Sequence, residues 1–248
     1  MKGTVQQKSR HVSLGGIVGR LFAVVFALFL VLAAYFVARG FGLYQDALAA
    51  KSLDEMAASI ESREGFTPID QLPNLYLQSV VAVEDHRFFA HPGFDAIATG
   101  RALVNDLKAG AIVEGGSTIT QQLAKNQFFT QEQTLERKVA EVFMALNIER
   151  HFSKSEILEL YVNSIYFGDG YEGVGEASQG YFGKAPSSLT DYEATLLAGV
   201  PNAPSVYAPT QNPDLAHQRQ CQVLEKLVAY DYLSFTDAQR IGAQYAAA

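Results

Sequence analysis

The sequence predicts a mainly α-helical domain tied to a membrane by one N-terminal helix, and three observations carry that expectation. Leu21 to Ala38 reads LFAVVFALFLVLAAYFVA, eighteen uncharged residues, long enough for a helix to cross most of a bilayer. Ser/Thr-x-x-Glu/Gln patterns mark helix starts at Thr118 with Gln121, Ser153 with Glu156 and Thr190 with Glu193. No alternating apolar and polar run is long enough to build a large sheet. The 248 residues, 48% hydrophobic and 18% charged, suffice for a core of one or two domains. The single cysteine, Cys221, excludes an intrachain disulfide, and no Cys/His spacing suits structural zinc. A net charge of -7 argues against a nucleic-acid partner.

Taken in chain order, residues 1–20 carry Lys2, Lys8, Arg10 and Arg20 and no acid, a charge of +4 that leaves -11 for the rest. Basic residues beside an apolar span stay on the cytoplasmic side. This predicts a cytoplasmic basic segment at 1–20, a single-pass anchor at 21–39 and everything from residue 40 on the extracytoplasmic face. A cleaved signal peptide is the alternative, but the run exceeds the usual signal core, and Arg39-Gly40-Phe41 lacks a small-residue cleavage pattern. Residues 40–73, punctuated by Gly65, Pro68 and Pro73, read as a stalk or connector, and 74–248 as one exported, mostly α domain. Within it Leu77, Val80, Val81, Glu84 and Phe88 fall on one helix face. Gly168, Gly170, Gly173 and Gly175 predict a loop, and Pro201, Pro204, Pro209 and Pro213 another.

Three groups of residues are suited to chemistry. Glu84 lies on an apolar stripe, where desolvation would raise its pKa and fit it for acid or base work; the plain alternative is a helix-end acid paired with Arg87. GGSTITQQLAKN, residues 115–126, places two glycines before a helix start, an arrangement that offers amide N–H groups to an anion, with Gln121, Gln122 and Lys125 on one polar face. A solvated, ordinarily capped helix explains the same residues. Finally Glu141 follows Arg137 by four residues and Lys138 by three on a helix apolar nearly all round, so the charged turn is expected to be walled in. Two carboxylates in unlike surroundings are the arrangement that separates acid/base from electrostatic work.

EDHRFFAHPGFD, GGSTITQQLAKN, RKVAE, ILELYVNSIYFGDGYEGVGEASQGYFGK and LAGVPNAPSVYAP resemble, in order and spacing, the five signature motifs of the peptidoglycan glycosyltransferases, glycosyltransferase family 51, which include the transglycosylase domains of class A penicillin-binding proteins. The likeness runs from about Leu75 to the C-terminus. It implies a lysozyme-like globular lobe with a smaller, membrane-associated jaw lobe, here within Ala96 to Val113, and a monofunctional enzyme of the cytoplasmic membrane that polymerises lipid II. Glu84 then matches the general base and Glu141 the second catalytic carboxylate, which helps the diphosphate leave, directly or through a Mg2+ or Mn2+ ion. Ser117, Thr118, Gln121, Lys125, Asn126, Arg137 and Lys138 match positions lining the donor and diphosphate region, and Asp85, Phe88 and His91 the remainder of the first motif. Glu159, Asn163, Gly168, Gly173 and Tyr181 match residues that shape an acceptor wall. Lipid II, the growing glycan strand, the membrane and transpeptidases are the implied partners. Gln133 departs from the pattern, since many members carry arginine there. A lysozyme-like lytic enzyme and a non-catalytic scaffold for lipid-linked precursors are the other readings; the cations around Glu141 speak against the first and the paired glutamates against the second.

Overall fold

The computed structural model describes residues 14–110, 115–130 and 132–247. Among them the structure is helical, with one isolated bridge between Tyr166 and Glu172 and no strand. Helix α1, Leu14–Ala50, contains the apolar run, and the span from Val18 to Ala50 is long and apolar enough to cross a membrane. Apart from the half-buried Phe36, its large apolar side chains from Val18 to Val37 are exposed, as a lipid-facing surface requires.

Residues 40–73, expected as a stalk, are instead built into the body. Helix α1 runs unbroken through Gly40, and its C-terminal part lies on α6, Leu135–His151, where Phe41 and Tyr44 pack against Phe143 with ring centroids 5.2 and 6.0 Å apart. Gly40 makes the approach close: a Cβ there would stand 2.6 Å from Val139 Cβ and 2.8 Å from the Glu136 carbonyl oxygen. Helix α2, Leu53–Glu61, opens with a further capping box, Ser52 with Glu55, and buries Leu53, Met56, Ala57 and Ile60. The amphipathic spacing of those four residues puts this segment in the core.

The remaining helices fall into two groups. In one, α3 (Asn74–Glu84), α9 (Asp191–Gly199), α11 (Pro213–Ala229) and α12 (Phe235–Gly242) pack together; in the other, α5 (Ile119–Phe128) and α7 (Lys154–Val162) join α6. The capping boxes at Thr118, Ser153 and Thr190 all form, each satisfying two backbone donors at the start of α5, α7 and α9. Helix α11 buries Ala216, Gln220, Val223, Leu224 and Leu227, a continuous stripe, and leaves Arg219, Gln222 and Lys226 along another side. Prolines stand at the first turns of α10 (Pro204–Tyr207) and α11, where a missing N–H costs nothing. The predicted glycine loop precedes α8, Val174–Phe182, with Gly168, Gly170 and Gly173 at positive φ.

Helix α3 ends at Glu84, one turn short of the expected stripe. Asp85 leaves the helical region (φ −159°, ψ 74°), and Phe88 reaches the core from a separate 3-10 turn, Phe88–Ala90. Helix α4, Ala96–Ala109, is the segment expected to form the jaw; its neighbours 111–113 lie outside the described residues. It is peripheral: Ala102 is buried, whereas Ile97, Val104 and Leu107 are 60, 48 and 74% exposed.

Candidate active site

Where the two helical groups meet, a cleft of about 610 Å³ opens between the end of α3, the start of α5 and α11. Glu84 lines it as the last residue of α3. Its Oε2 accepts a 2.8 Å hydrogen bond from Gln122 Nε2, while Oε1 is buried without a partner. Burial pushes the Glu84 carboxyl up, against the opposing pull of the Gln122 hydrogen bond and of the positive charges on Arg219 and Lys125. The alternative of an ion pair with Arg87 is not what forms: Arg87 pairs with Asp95 at 2.9 Å, and Asp95 in turn caps α4 through the Ile97 and Ala98 N–H groups.

Asp85 ties the end of α3 to the start of α5. One of its oxygens accepts the Ile119 N–H at 3.1 Å, and the carboxylate faces His91 Nε2 at 2.9 Å. Gly93 N donates to His91 Nδ1, so Nε2 holds the proton that points at Asp85. Thr118 Oγ1 donates to the Gly93 carbonyl at 2.7 Å, which closes the link between the first and second motifs. His91 and Phe88 are buried behind the cleft, and Phe88 is fully enclosed in the core. These two residues, expected near substrate, hold the backbone that carries Glu84.

The start of α5 is not the open anion site that its glycines suggest. The Thr118, Ile119 and Gln121 N–H groups are already taken by Gln121 Oε1, Asp85 Oδ2 and Thr118 Oγ1. Gln121 is accordingly buried as the cap's reciprocal partner, and it does not line the cleft as its polar face implied. Asn126 is exposed on α5 and also stands outside the cleft lining. Ser117, Thr118, Gln122 and Lys125 do line it, and the positive charge at this end comes from side chains.

Glu141 is 1% exposed, walled in as its apolar helix foretold. Arg137 Nε stands 3.0 Å from Oε1, an ion pair not aligned as a hydrogen bond, and Lys138 Nζ donates to Oε2 at 2.8 Å. Lys138 also donates to Ser117 Oγ at 2.8 Å, and Arg137 donates to the Thr130 carbonyl. Lys125 stands near enough to feel both carboxylates; burial lowers its pKa, Glu141 and Glu84 oppose that, and Arg137 and Lys138 add to it. Arg137 and Lys138 pair with one buried carboxylate and Lys125 stands close enough to feel it, but of these four residues only Lys125 lines the cleft. Among the described residues no three His, Cys, Asp or Glu side chains stand close enough to hold a metal ion, and both Glu141 oxygens are engaged by cations. The side chains therefore do not fit a resident Mg2+ or Mn2+ ion.

The wall opposite Glu84 was not visible in the sequence. Arg219, Gln222, Glu225 and Lys226 of α11 line it, together with Tyr230, whose ring stacks on His86 at 4.3 Å. No motif announces them; only the placement of α11 against α3 does. The fourth-motif residues, by contrast, stand away from the cleft lining. Glu159 Oε2 accepts the Ile69 N–H, Asn163 bridges the Thr67 N–H and carbonyl, and Tyr181 donates to the Phe167 carbonyl. Gly173, at φ 88°, lies so near Asn163 that a Cβ would meet its carbonyl oxygen at 2.7 Å. These residues tie loops to the core.

A helical protein with one N-terminal helix apolar enough to cross a membrane and two glutamates, one half-buried in the cleft on a neutral amide and one buried between two cations, is the class defined so far. Residues 51–228 match the transglycosylase family over most of the chain. This chain belongs to that family. It is 43% identical over 185 residues to penicillin-binding protein 1F of Bacillus subtilis, covering 75% of this chain and 26% of that protein. It is 47% identical over 169 residues to penicillin-binding protein 1A of Aquifex aeolicus, covering 68% and 23%. The chain spans about a quarter of the length of these relatives. A crystal structure of penicillin-binding protein 1A from Haemophilus influenzae overlaps 50% of this chain and 15% of that one, with a TM-score of 0.34 and 29% identity.

Proposed function

We propose that this chain polymerises lipid II into β-1,4-linked glycan, releasing undecaprenyl diphosphate, with Glu84 as general base and the Lys125, Arg137, Lys138 and Glu141 cluster as the diphosphate site. The observation that carries the reading is the contrast between the two glutamates. Glu84, desolvated and holding one unpartnered oxygen, is fitted to take the proton from the acceptor 4-hydroxyl. As that oxygen attacks the donor anomeric carbon from the face opposite the leaving group, the α linkage becomes β. Negative charge grows on the departing diphosphate, and donors already in place for it cost no reorganisation as the bond breaks. Lys125, the half-exposed Lys138 and the Ser117 hydroxyl are such donors. Glu141 keeps Arg137 and Lys138 drawn together. A Mg2+ or Mn2+ ion would reach this site already bound to the diphosphate, whose oxygens can supply most of its ligands.

In this reading α1 spans the cytoplasmic membrane with the basic N-terminus inside, and the catalytic body lies on the extracytoplasmic face. The exposed apolar residues of α4 would meet the bilayer near the lipid tail. Lipid II and the growing strand are the partners, followed by transpeptidases that cross-link the product. The test is to incubate the detergent-solubilised chain with labelled lipid II and resolve the products by gel. Polymer with released undecaprenyl diphosphate supports the reading. Lipid II that is bound but unconsumed would turn it to a scaffold, and cleavage of preformed glycan to a lytic enzyme.

A further inference from the structure

We propose that Tyr161 is a positioning residue for Glu84, acting through Gln122: its phenol fixes the side-chain amide so that the amide N–H, and not the carbonyl, faces the Glu84 carboxylate. The proposal deepens the reading of Glu84 as the base. Tyr161 lies on α7 and is fully buried. Its hydroxyl donates to Gln122 Oε1 at 3.1 Å, and Gln122 Nε2 donates to Glu84 Oε2 at 2.8 Å. The chain of contacts crosses three helices, α7 to α5 to α3, and ends at the oxygen beside the unpartnered Glu84 Oε1.

A primary amide is nearly symmetric in shape but opposite in hydrogen-bonding sense at its two ends, so its neighbours decide which end points where. Turned over, the Gln122 carbonyl would meet the carboxylate acceptor to acceptor, an arrangement relieved only if Glu84 were protonated. Tyr161 prevents the turn as long as it remains a donor. It does remain one: burial, and then the negative charge of Glu84, push its phenol far above the ordinary tyrosine value. Glu84 therefore keeps one oxygen permanently solvated by the protein and the other available to the substrate hydroxyl.

Other charges also act on Glu84. Asp85 lies on its own segment, Lys125 on α5 and Arg219 on α11. His86, Arg101, Glu225 and Lys226 line the same cleft. Replacing Tyr161 by phenylalanine changes none of them, because the phenol is neutral, so a shift in Glu84 titration in that variant reports the amide.

The full chain in detergent is compared as wild type, Tyr161→Phe, Gln122→Leu and the double variant, with the Glu84 carboxyl band isolated by infrared difference against Glu84→Gln. The proposal predicts that the Glu84 midpoint rises by about one pH unit in Tyr161→Phe. It predicts that Tyr161→Phe adds nothing once Gln122→Leu is present, the mark of two residues acting through one contact. Para-aminophenylalanine at 161, which keeps a donor, restores the wild-type midpoint and covers the event that the phenylalanine variant misfolds. In lipid II polymerisation the acid limb of kcat/KM against pH moves by the same amount, a loss of about tenfold below it with the alkaline plateau kept. An unchanged midpoint, additive shifts, or a rate loss equal at every pH would overturn the proposal. A shifted midpoint in a chain that never polymerises lipid II would leave the amide lock standing and sink the polymerase reading instead.

Discussion

Glu84 is half-buried, with its Oε1 enclosed, and Glu141 is fully buried, and their environments predict opposite consequences for the same Glu→Gln change. Burial raises the Glu84 pKa in the folded state, so the folded chain binds more protons than the unfolded one between the ordinary carboxylate value of 4.5 and the raised one. Stability then falls as pH rises through that interval, and the ionised side chain costs stability at neutral pH. Glu84→Gln should consequently unfold at higher denaturant than wild type at pH 7, with the advantage vanishing below pH 4. Equal midpoints at pH 7 would contradict the desolvation account. Glu141→Gln removes the counter-charge of a guanidinium that is largely buried, and breaking such a pair costs about 3–5 kcal/mol. It should unfold at clearly lower denaturant, so its lost activity has to be measured below its unfolding transition. Gln133 is exposed at the approach to α6, where an arginine would add a screened charge. Gln133→Arg is expected to lower KM for lipid II by no more than about fivefold, the scale of an exposed ion pair; an unchanged KM discards a role for that missing charge.

Among the elements, α6 carries the heaviest load, because it holds Arg137, Lys138 and Glu141 on one side and receives the membrane helix on the other. The contact at Gly40 has no room for a side chain, with Val139 and the Glu136 carbonyl both inside normal contact distance of a Cβ. Gly40→Ala should push α1 off α6 at a cost of about 1–3 kcal/mol, as overpacking does, and displace the turn that begins with Glu136 and Arg137. Thermal unfolding and the KM for lipid II should both worsen in that variant, whereas Gly42→Ala, with open space around its Cβ, should leave them unchanged. Local signals at this scale were well legible: the capping boxes of α5, α7 and α9 and the i, i+3 and i+4 charges of α6 all sit where their spacing put them. The Ser52–Glu55 box shows the same signal and marks α2 as a core helix, although the glycine and prolines after it suggested a connector. Phe88 misled in another way, since periodicity carried the stripe past Glu84. Asp85 instead spends its side chain on His91 and the Ile119 N–H and ends the helix.

At the scale of the whole molecule the site belongs to neither helical group alone. Glu84 comes from one, together with the wall of Arg219, Gln222 and Lys226 from a helix more than a hundred residues further on in sequence, and Lys125 from the other, with Glu141 and its two cations just outside the lining. That wall was illegible because its residues repeat no pattern; they are simply the polar side of an amphipathic helix. The burial of Gln121 was illegible for a related reason, as a polar face reads as solvated until the cap that consumes it is seen. What the sequence did make plain was the contrast that the proposed chemistry rests on, one glutamate subject to desolvation and one paired with cations, following a long apolar segment.

The most direct test of that chemistry is lipid II turnover by Glu84→Gln beside wild type, at neutral pH, with lipid II binding measured on the same samples. Loss of a positioned general base predicts a fall in kcat of about a hundredfold or more with KM and lipid II binding within a few-fold. Near wild-type kcat in a folded Glu84→Gln chain would contradict the assignment of Glu84 as the base, and with it the account of the cleft.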